Sequence, residues 1–259
     1  MNRVLGKVAV VPAVLLMIMS AGAGGPVQTR AATNPALHLL KQSLRVSADK
    51  KAAHVVGGLG ARISDHLEGF TFSVTVRAGV RGDVVDRRQG LRAHLKGQER
   101  LGGSARSYKL VVANGKIASK YRKTAWACTS LTSAGSTLGL GMGTITQMAG
   151  FERKLRRVLQ VTDLGSTTFR GVPVWHLRAT ILTRIPMRTT GSSGKVKVTH
   201  PWVHVRANFW ISRSNQTVRR VTAFAKIRAK QSAATLHLWA RFSRYGEHVP
   251  IHLPPACRK

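Results

Sequence analysis

Residues 201–227 read PWVHVRANFWISRSNQTVRRVTAFAKI, in which apolar and polar side chains alternate on both sides of a short polar turn. Successive side chains of a β-strand point to opposite faces of the sheet, so this alternation predicts two strands that share one apolar face. The other face carries tryptophan, histidine and several cations, namely Trp202, His204, Arg206, Arg220, Lys226 and Arg228. The segment therefore predicts a sheet that is apolar on one side and basic on the other.

The same period of two recurs at residues 69–80, 90–100, 107–126, 171–182 and 234–245, with a hairpin turn at ANGK, residues 113–116. Two other segments space their apolar residues as helices do. One is residues 34–51, where Asn34 can cap the helix and Pro35 suits its first turn, and the other is residues 144–161. The order helix, strands, helix, strands predicts an α+β fold, with one long curved antiparallel sheet whose apolar face packs on helices.

The N-terminus has the three parts of a secretory signal peptide. Arg3 and Lys7 are positive, Val8–Met19 is apolar, and Ala21–Ala23 offers small residues for cleavage. The expected organisation is a signal peptide at 1–23, a flexible linker at 24–34 and a single domain at 35–259. No cysteine lies near the cleavage site, so no lipobox anchor is expected, and the protein should be secreted or lie in the cell envelope. The alternative is an uncleaved anchor, although the apolar run is shorter than the ~20 residues of a spanning helix.

The chain of 259 residues has 42 Lys and Arg against 9 Asp and Glu, a formal net charge of +33, which becomes +31 when Arg3 and Lys7 are removed. This excess favours an anionic partner, which could be nucleic acid, anionic lipid or an anionic wall polymer. Trp202 and Trp239 lie in phase with the cations, as a single-stranded nucleic acid site requires. Export argues against that use, so no specific nucleic acid partner is expected. The remaining alternative is that the charge serves only solubility or an unusual habitat.

Cys128 and Cys257 are the two cysteines of the chain. An even number of cysteines in an exported protein predicts a disulfide bond, which here would enclose most of the domain. Two free thiols are the alternative. A zinc site would need more ligands than the segments AWACTS and PPACRK supply.

No constellation of catalytic residues is evident. The nine carboxylates are scattered, and neither G-x-S-x-G nor H-E-x-x-H is present. Gly139–Gly143, GLGMG, precedes a predicted helix as a phosphate-binding turn would, but it lacks the rest of that motif and is interpreted as a connector. The sequence therefore predicts a protein that is not an enzyme and that needs neither a cofactor nor a metal.

Four segments, in order along the chain, resemble motifs of the LolA-like and LppX/LprG-like envelope proteins: NGKIASKYRKTAWAC (114–128), FRGVPVWHLRA (169–179), ANFWISRSNQTVRRV (207–221) and FSRYGEHVPIHLPPA (242–256). The chain departs from that group at Ser212–Arg213, where Asp is usual, and at Gln216–Thr217, where Leu–Pro is usual. The resemblance implies a half-open barrel wrapped around helices, with an apolar cavity for acyl chains. Candidates for the lipid pocket are Phe70, Phe72, Trp175, Leu177, Phe209, Leu236 and Leu238. Each of these could instead be an ordinary core residue.

These observations favour an exported, non-enzymatic carrier of lipid or lipoprotein acyl chains. Its basic outer face would contact anionic membrane or wall surfaces, through candidates Arg206, Arg220, Lys226, Arg228 and Arg241. The alternative is an envelope sensor or scaffold module of the same fold that binds a partner protein, and the sequence identifies no such partner.

Overall fold

The structure is a computed structural model that describes residues 34–67, 70–87, 90–101, 104–122, 124–130, 159–184, 187–190, 196–228 and 232–258. The predicted signal peptide and all of the predicted linker except Asn34 lie outside these residues. Most of the second predicted helix does too. Its last three residues, Leu159 to Val161, are described, and Gln160 and Val161 begin a strand. The helix prediction is therefore wrong at this end.

The described residues form one α-helix, α1 (Pro35–Asp49), and thirteen strands. The strands are β1 (Ala52–Leu67), β2 (Phe70–Arg87), β3 (Gly90–Leu101), β4 (Ser104–Ala113), β5 (Lys116–Tyr121), β6 (Ala127–Ser130), β7 (Gln160–Phe169), β8 (Val172–Arg184), β9 (Met187–Thr190), β10 (Val196–Thr199), β11 (Trp202–Ser212), β12 (Val218–Arg228) and β13 (Ser232–Ser243). A short 3-10 helix, Pro255–Cys257, lies in the C-terminal tail.

Eleven strands form a single antiparallel sheet in the order β6-β5-β4-β3-β2-β1-β13-β12-β11-β8-β7. Its edge strands, β6 and β7, do not pair with each other, so the sheet is open. Strands β9 and β10 form a separate pair. The predicted antiparallel sheet is confirmed, and so is the turn at residues 113–116. There Asn114 and Gly115 both have positive φ, 51° and 69°, as a tight two-residue hairpin turn requires.

Helix α1 begins as the sequence predicts. The Asn34 side chain accepts a hydrogen bond from the Leu37 backbone N–H at 3.1 Å, and Pro35 occupies the first turn. The Asn34 amide also donates to the Val161 carbonyl of β7 at 2.9 Å, which ties the start of the helix to the edge of the sheet. The apolar side of α1 then packs into a buried cluster with side chains of β1, β7, β8, β11, β12 and β13.

A polar network centred on Val218 fixes the other end of α1 to the sheet. The Val218 N–H donates to the Ser47 hydroxyl at 2.9 Å, and the Tyr245 hydroxyl donates to the Val218 carbonyl. Ser47 and Tyr245 thus both bind the backbone of Val218. Burial raises the pKa of Tyr245 above its ordinary value, against the smaller opposing effects of Ser47 and Arg219, so this hydroxyl remains a donor.

The C-terminal tail covers a corner of the sheet on the side opposite α1. Ile251 and Leu253 of the tail pack with Val85, Val111 and Ala118 in a second buried cluster. The disulfide bond between Cys128 and Cys257 holds the end of the tail there, with 5.5 Å between the two Cα atoms. The predicted disulfide is thus present, and it crosslinks β6 to a segment 129 residues further along the chain.

We predict that Tyr245→Phe lowers the free energy of unfolding by about 1–3 kcal/mol, because it leaves a buried carbonyl, that of Val218, without its donor. Urea unfolding of Tyr245→Phe, Ser47→Ala and the double variant measures this effect. In one network the two losses should not be additive, with a coupling of about 1 kcal/mol. Additive losses, or a Tyr245→Phe variant as stable as the parent, would contradict the role assigned to the network.

Candidate functional site

The antiparallel register sorts the side chains of the sheet onto two faces, because directly opposed residues of neighbouring strands share a face. On the side of α1, which we call the helix face, the register runs across five strands through Val55, Phe242, Ala240, Val221, Phe209 and Leu177. Phe242 opposes Val55 and lies two residues from Ala240 on β13, and every other step along this line joins two directly opposed residues. The opposite face carries the residues between them.

Five of the lipid-pocket candidates lie on the helix face, in two groups. Leu177 and Phe209 are directly opposed and buried in the cluster beneath α1, and the half-buried Trp175 packs against that cluster. Leu236 and Leu238 lie further along β13, opposed to Ala61 and Leu59 of β1. Leu238 is buried, whereas Leu236 is half-buried.

The other two candidates, Phe70 and Phe72, pair through their backbones with Leu67 and Asp65 of β1. Their side chains lie outside what the structure describes.

The anionic-surface candidates share the opposite face. Arg220 opposes Arg241, Arg206 opposes Phe224, Lys226 opposes His204, and Arg228 opposes Trp202. Arg206 and Arg228 are exposed, and the other three are partly buried. These five cations therefore lie on one surface formed by β11, β12 and β13.

Arginine and tryptophan are paired on this face. The guanidinium of Arg184 lies 4.5 Å from the ring centre of Trp202, that of Arg220 lies 4.8 Å from Trp210, and that of Arg241 lies 5.2 Å from Trp239. These distances are within the range of cation–π attraction. The indoles of Trp202 and Trp239 remain 46% and 38% exposed, so the face presents aromatic rings as well as charge to solvent.

The register reveals a feature of the opposite face that the sequence analysis missed. Six cations, one from each of six strands, lie in a single line across the sheet: Arg220, Arg241, Arg81, Lys96, Lys109 and Lys120. Val56 of β1 lies in the same line, between Arg241 and Arg81. Seven strands at a spacing of ~4.8 Å give this cationic row a length of about 29 Å. Alternation on single strands gave no signal for it, because the row exists only once the register between strands is set.

Two histidines of the opposite face have pKa values that their surroundings lower. Burial lowers the pKa of His94, with Lys96 and Lys109 lowering it further and Asp83 opposing them. Burial also lowers the pKa of His176, which stacks on Trp210 with 4.5 Å between ring centres. Both shifts favour the neutral imidazole.

The described residues hold no group of three or more His, Cys, Asp or Glu side chains that could bind a metal ion. Within the same part of the chain, no helix has the length and apolar character needed to cross a membrane.

No family model matches the chain, and no curated protein is significantly similar to it. Among solved structures, the chain is similar to lipoprotein LppX of Mycobacterium tuberculosis, with 16% identity and a TM-score of 0.43 over 85% of this chain and 100% of that one. It is similar to LprF of Mycobacterium bovis, with 16% identity and a TM-score of 0.44 over 86% and 98% of the two chains. A LolA superfamily protein of Nitrosomonas europaea matches with 9% identity and a TM-score of 0.24 over 85% and 96%. The similar structures thus include members of the group that the sequence motifs resemble.

Proposed function

We propose that this protein is an exported, non-enzymatic carrier that binds acyl chains of a lipid or lipoprotein against the helix face of its sheet. The observation that carries this proposal is the sorting of β8, β11, β12 and β13 into an apolar face beneath α1 and a polar, cationic face opposite. A sheet that must contact both an acyl chain and an aqueous or anionic environment needs these two surfaces. The ordered motifs shared with LolA-like and LppX/LprG-like proteins support the same function.

The binding region we propose lies beside the cluster beneath α1, not within it. Leu177 and Phe209 are fully packed there and form a wall, whereas the half-buried side chain of Leu236 has surface available to a ligand. Trp175 lies on the other side of the cluster, because the register line of Leu236 meets β8 at Ile181. In this arrangement the sheet curves around helices as a half-open barrel. Burial of each CH₂ group of an acyl chain contributes ~0.8 kcal/mol, so affinity requires no catalytic or charged group.

The Cys128–Cys257 disulfide supports a location outside the cytoplasm, where such bonds persist. It holds the C-terminal tail over the apolar corner formed by Val85, Val111 and Ala118. Without the tail, the apolar side chains of that corner would be open to water. The cations and the partly exposed tryptophans of that face stay accessible beside the tail.

We predict that protein isolated from its native host carries lipid, detectable by native mass spectrometry and by lipid extraction. Leu236→Gln should reduce lipid occupancy about tenfold, because it removes one apolar side chain from the proposed pocket. His237→Gln is the matched control, since His237 adjoins Leu236 on β13 but lies on the opposite face. Protein that carries no lipid and takes none up would contradict the carrier. A single stoichiometric protein partner without lipid would favour the sensor or scaffold function instead.

We also propose that the opposite face attaches the carrier to anionic membrane or wall surfaces through Arg206, Arg220, Lys226, Arg228 and Arg241. The exposed rings of Trp202 and Trp239 on the same face suit a membrane interface, where amphipathic aromatic side chains are favoured. The attraction would extend over a screening length of ~8–10 Å at physiological ionic strength.

We predict that the protein co-sediments with anionic vesicles at low salt, that high salt releases it, and that neutral vesicles do not bind it. Arg206→Gln/Arg228→Gln should weaken binding up to about 30-fold, because each cation near an anionic membrane contributes up to ~1 kcal/mol. Lys41→Gln/Arg45→Gln, on the exposed side of α1, removes the same charge from another surface. Binding that is absent at low salt, or that high salt leaves unchanged, would remove the electrostatic explanation.

A further inference from the structure

The cationic row contains an open groove at its β2–β5 end. The groove has a volume of about 600 Å³, and the cations around it are Arg81, Lys96, Lys109, Lys120 and Arg122. Its remaining lining includes Gly79, Gly97 and Ser107. A side chain at Gly79 would meet nothing closer than the Gly57 carbonyl at 3.9 Å, so this glycine leaves open space beside the row. The volume lies within the ~300–1,000 Å³ of small-molecule sites.

The cations of this groove are unfavourably placed with respect to one another. Arg81 opposes Lys96, Lys96 opposes Lys109, and Lys109 opposes Lys120, which makes three consecutive like-charge pairs in direct register. Like charges directly opposed across strands destabilise a sheet. None of these four has a carboxylate partner among the described residues, and the nearest acid on this face, Asp83, bonds His54 at 2.8 Å.

The other end of the row is different. Arg220 and Arg241 lie over the rings of Trp210 and Trp239, and Val56 separates them from Arg81. The cations of β12 and β13 therefore contact aromatic rings, whereas the cations of β2–β5 line the open groove. This favours a compact anion in the β2–β5 groove over a polymer that follows the whole row.

We propose that the groove formed by Arg81, Lys96, Lys109 and Lys120 binds a compact, multiply charged phosphate group. Several cations around a recess of this size match an anion with two or more charges, and ammonium and guanidinium groups are the usual ligands of phosphate oxygens. Both a phosphorylated lipid headgroup and a soluble oligophosphate offer this chemistry. The site lies on the face opposite the proposed acyl region, and its occupancy does not depend on acyl binding.

The first test is calorimetric titration of the full chain with inorganic tripolyphosphate at fixed salt, together with thermal unfolding. We expect saturable binding that raises Tm, since a ligand that binds only the folded state stabilises it. Lys96→Gln/Lys109→Gln should weaken binding at least tenfold, because each lysine lost is a charged contact to the anion.

The matched control is Lys41→Gln/Arg45→Gln, which removes two cations that are neighbours at i,i+4 on α1. This variant has the same net charge as Lys96→Gln/Lys109→Gln, and it too relieves the repulsion between two neighbouring cations. It should bind tripolyphosphate within about twofold of the parent. Equal weakening in the two double variants would show that only net charge matters and would overturn the proposal. Affinity that grows with the length of an added oligonucleotide and ignores the Lys96/Lys109 change would overturn it in favour of a polymer site.

Weaker binding by Lys96→Gln/Lys109→Gln can be told apart from loss of folding, because the Tm of the variant is measured as well. Lys96→Gln/Lys109→Gln removes repulsion, so its Tm without ligand should equal or exceed that of the parent. A second readout is the pKa of His94, measured by NMR. A bound anion should offset the effects of Lys96 and Lys109 and raise this pKa in the parent and in the control, but not in Lys96→Gln/Lys109→Gln. A His94 pKa that tripolyphosphate leaves unchanged in the parent would contradict binding at this groove.

The source of the phosphate is tested with vesicles of matched charge that contain either phosphatidic acid, a phosphomonoester, or phosphatidylglycerol, a diester. A headgroup site predicts that Lys96→Gln/Lys109→Gln loses binding selectively to phosphatidic acid. An oligophosphate site predicts that tripolyphosphate binds the groove, whereas the protein binds the two kinds of vesicle equally well. Failure of both ligands at the groove would refute this site without bearing on the acyl carrier, which lipid extraction tests.

Discussion

The structure depends on one constraint, which is that the period of two along each strand is kept in register across the sheet. β1 pairs with β2 through sixteen consecutive residues and with β13 through twelve, so the phase of one strand determines the phase of its neighbours. The two register shifts lie towards the β7 edge of the sheet, at Trp210/Ile211 of β11 and between Asp163 and Ser166 of β7. A shift of one residue in the central strands would exchange the faces and bury the cations of one strand beneath α1.

Two attachments secure the two faces of this sheet. On the helix face, α1 is held at its start by Asn34 and at its end by the network of Ser47, Val218 and Tyr245. On the opposite face, the tail is held by the Cys128–Cys257 bond. A loop of this length gives a crosslink stabilisation of about 5 kcal/mol in chain-entropy models. Together these attachments cover apolar surface on both sides and leave the cationic part of one side accessible.

The sequence predicted those parts of the fold in which local pattern and local chemistry agree. The alternation in β11, β12 and β13, the turn at Asn114–Gly115 and the cap at Asn34 each follow from a few adjacent residues. β1 has no such signal, because glycines interrupt its alternation. Those glycines serve contacts between strands, since a Cβ at Gly57 would lie 2.8 Å from the Trp239 carbonyl and one at Gly58 would lie 2.6 Å from the Trp239 indole nitrogen. The sequence predicts helix at the start of β7 because the helical spacing of apolar residues runs to Leu159, next to the strand.

The cationic row could not be predicted for a related reason. Lys96, Lys109 and Lys120 lie on three strands, and each is an unremarkable polar position in its own alternation. Their alignment depends on where each turn places the following strand, which the sequence pattern does not specify to one residue. The candidates on β11–β13 were identifiable because they lie close together in the sequence.

The most direct test of a sheet with one acyl-binding face is photo-labelling with a diazirine-bearing fatty acid, followed by mapping of labelled residues in β13. Strand β13 alternates Leu236 and Leu238 on the helix face with His237 and Trp239 on the opposite face, so residue-level fragmentation can tell the faces apart. We predict labels at Leu236 and Leu238, which excess unlabelled fatty acid prevents. Labels concentrated at His237 and Trp239, or labels that competition does not reduce, would contradict it.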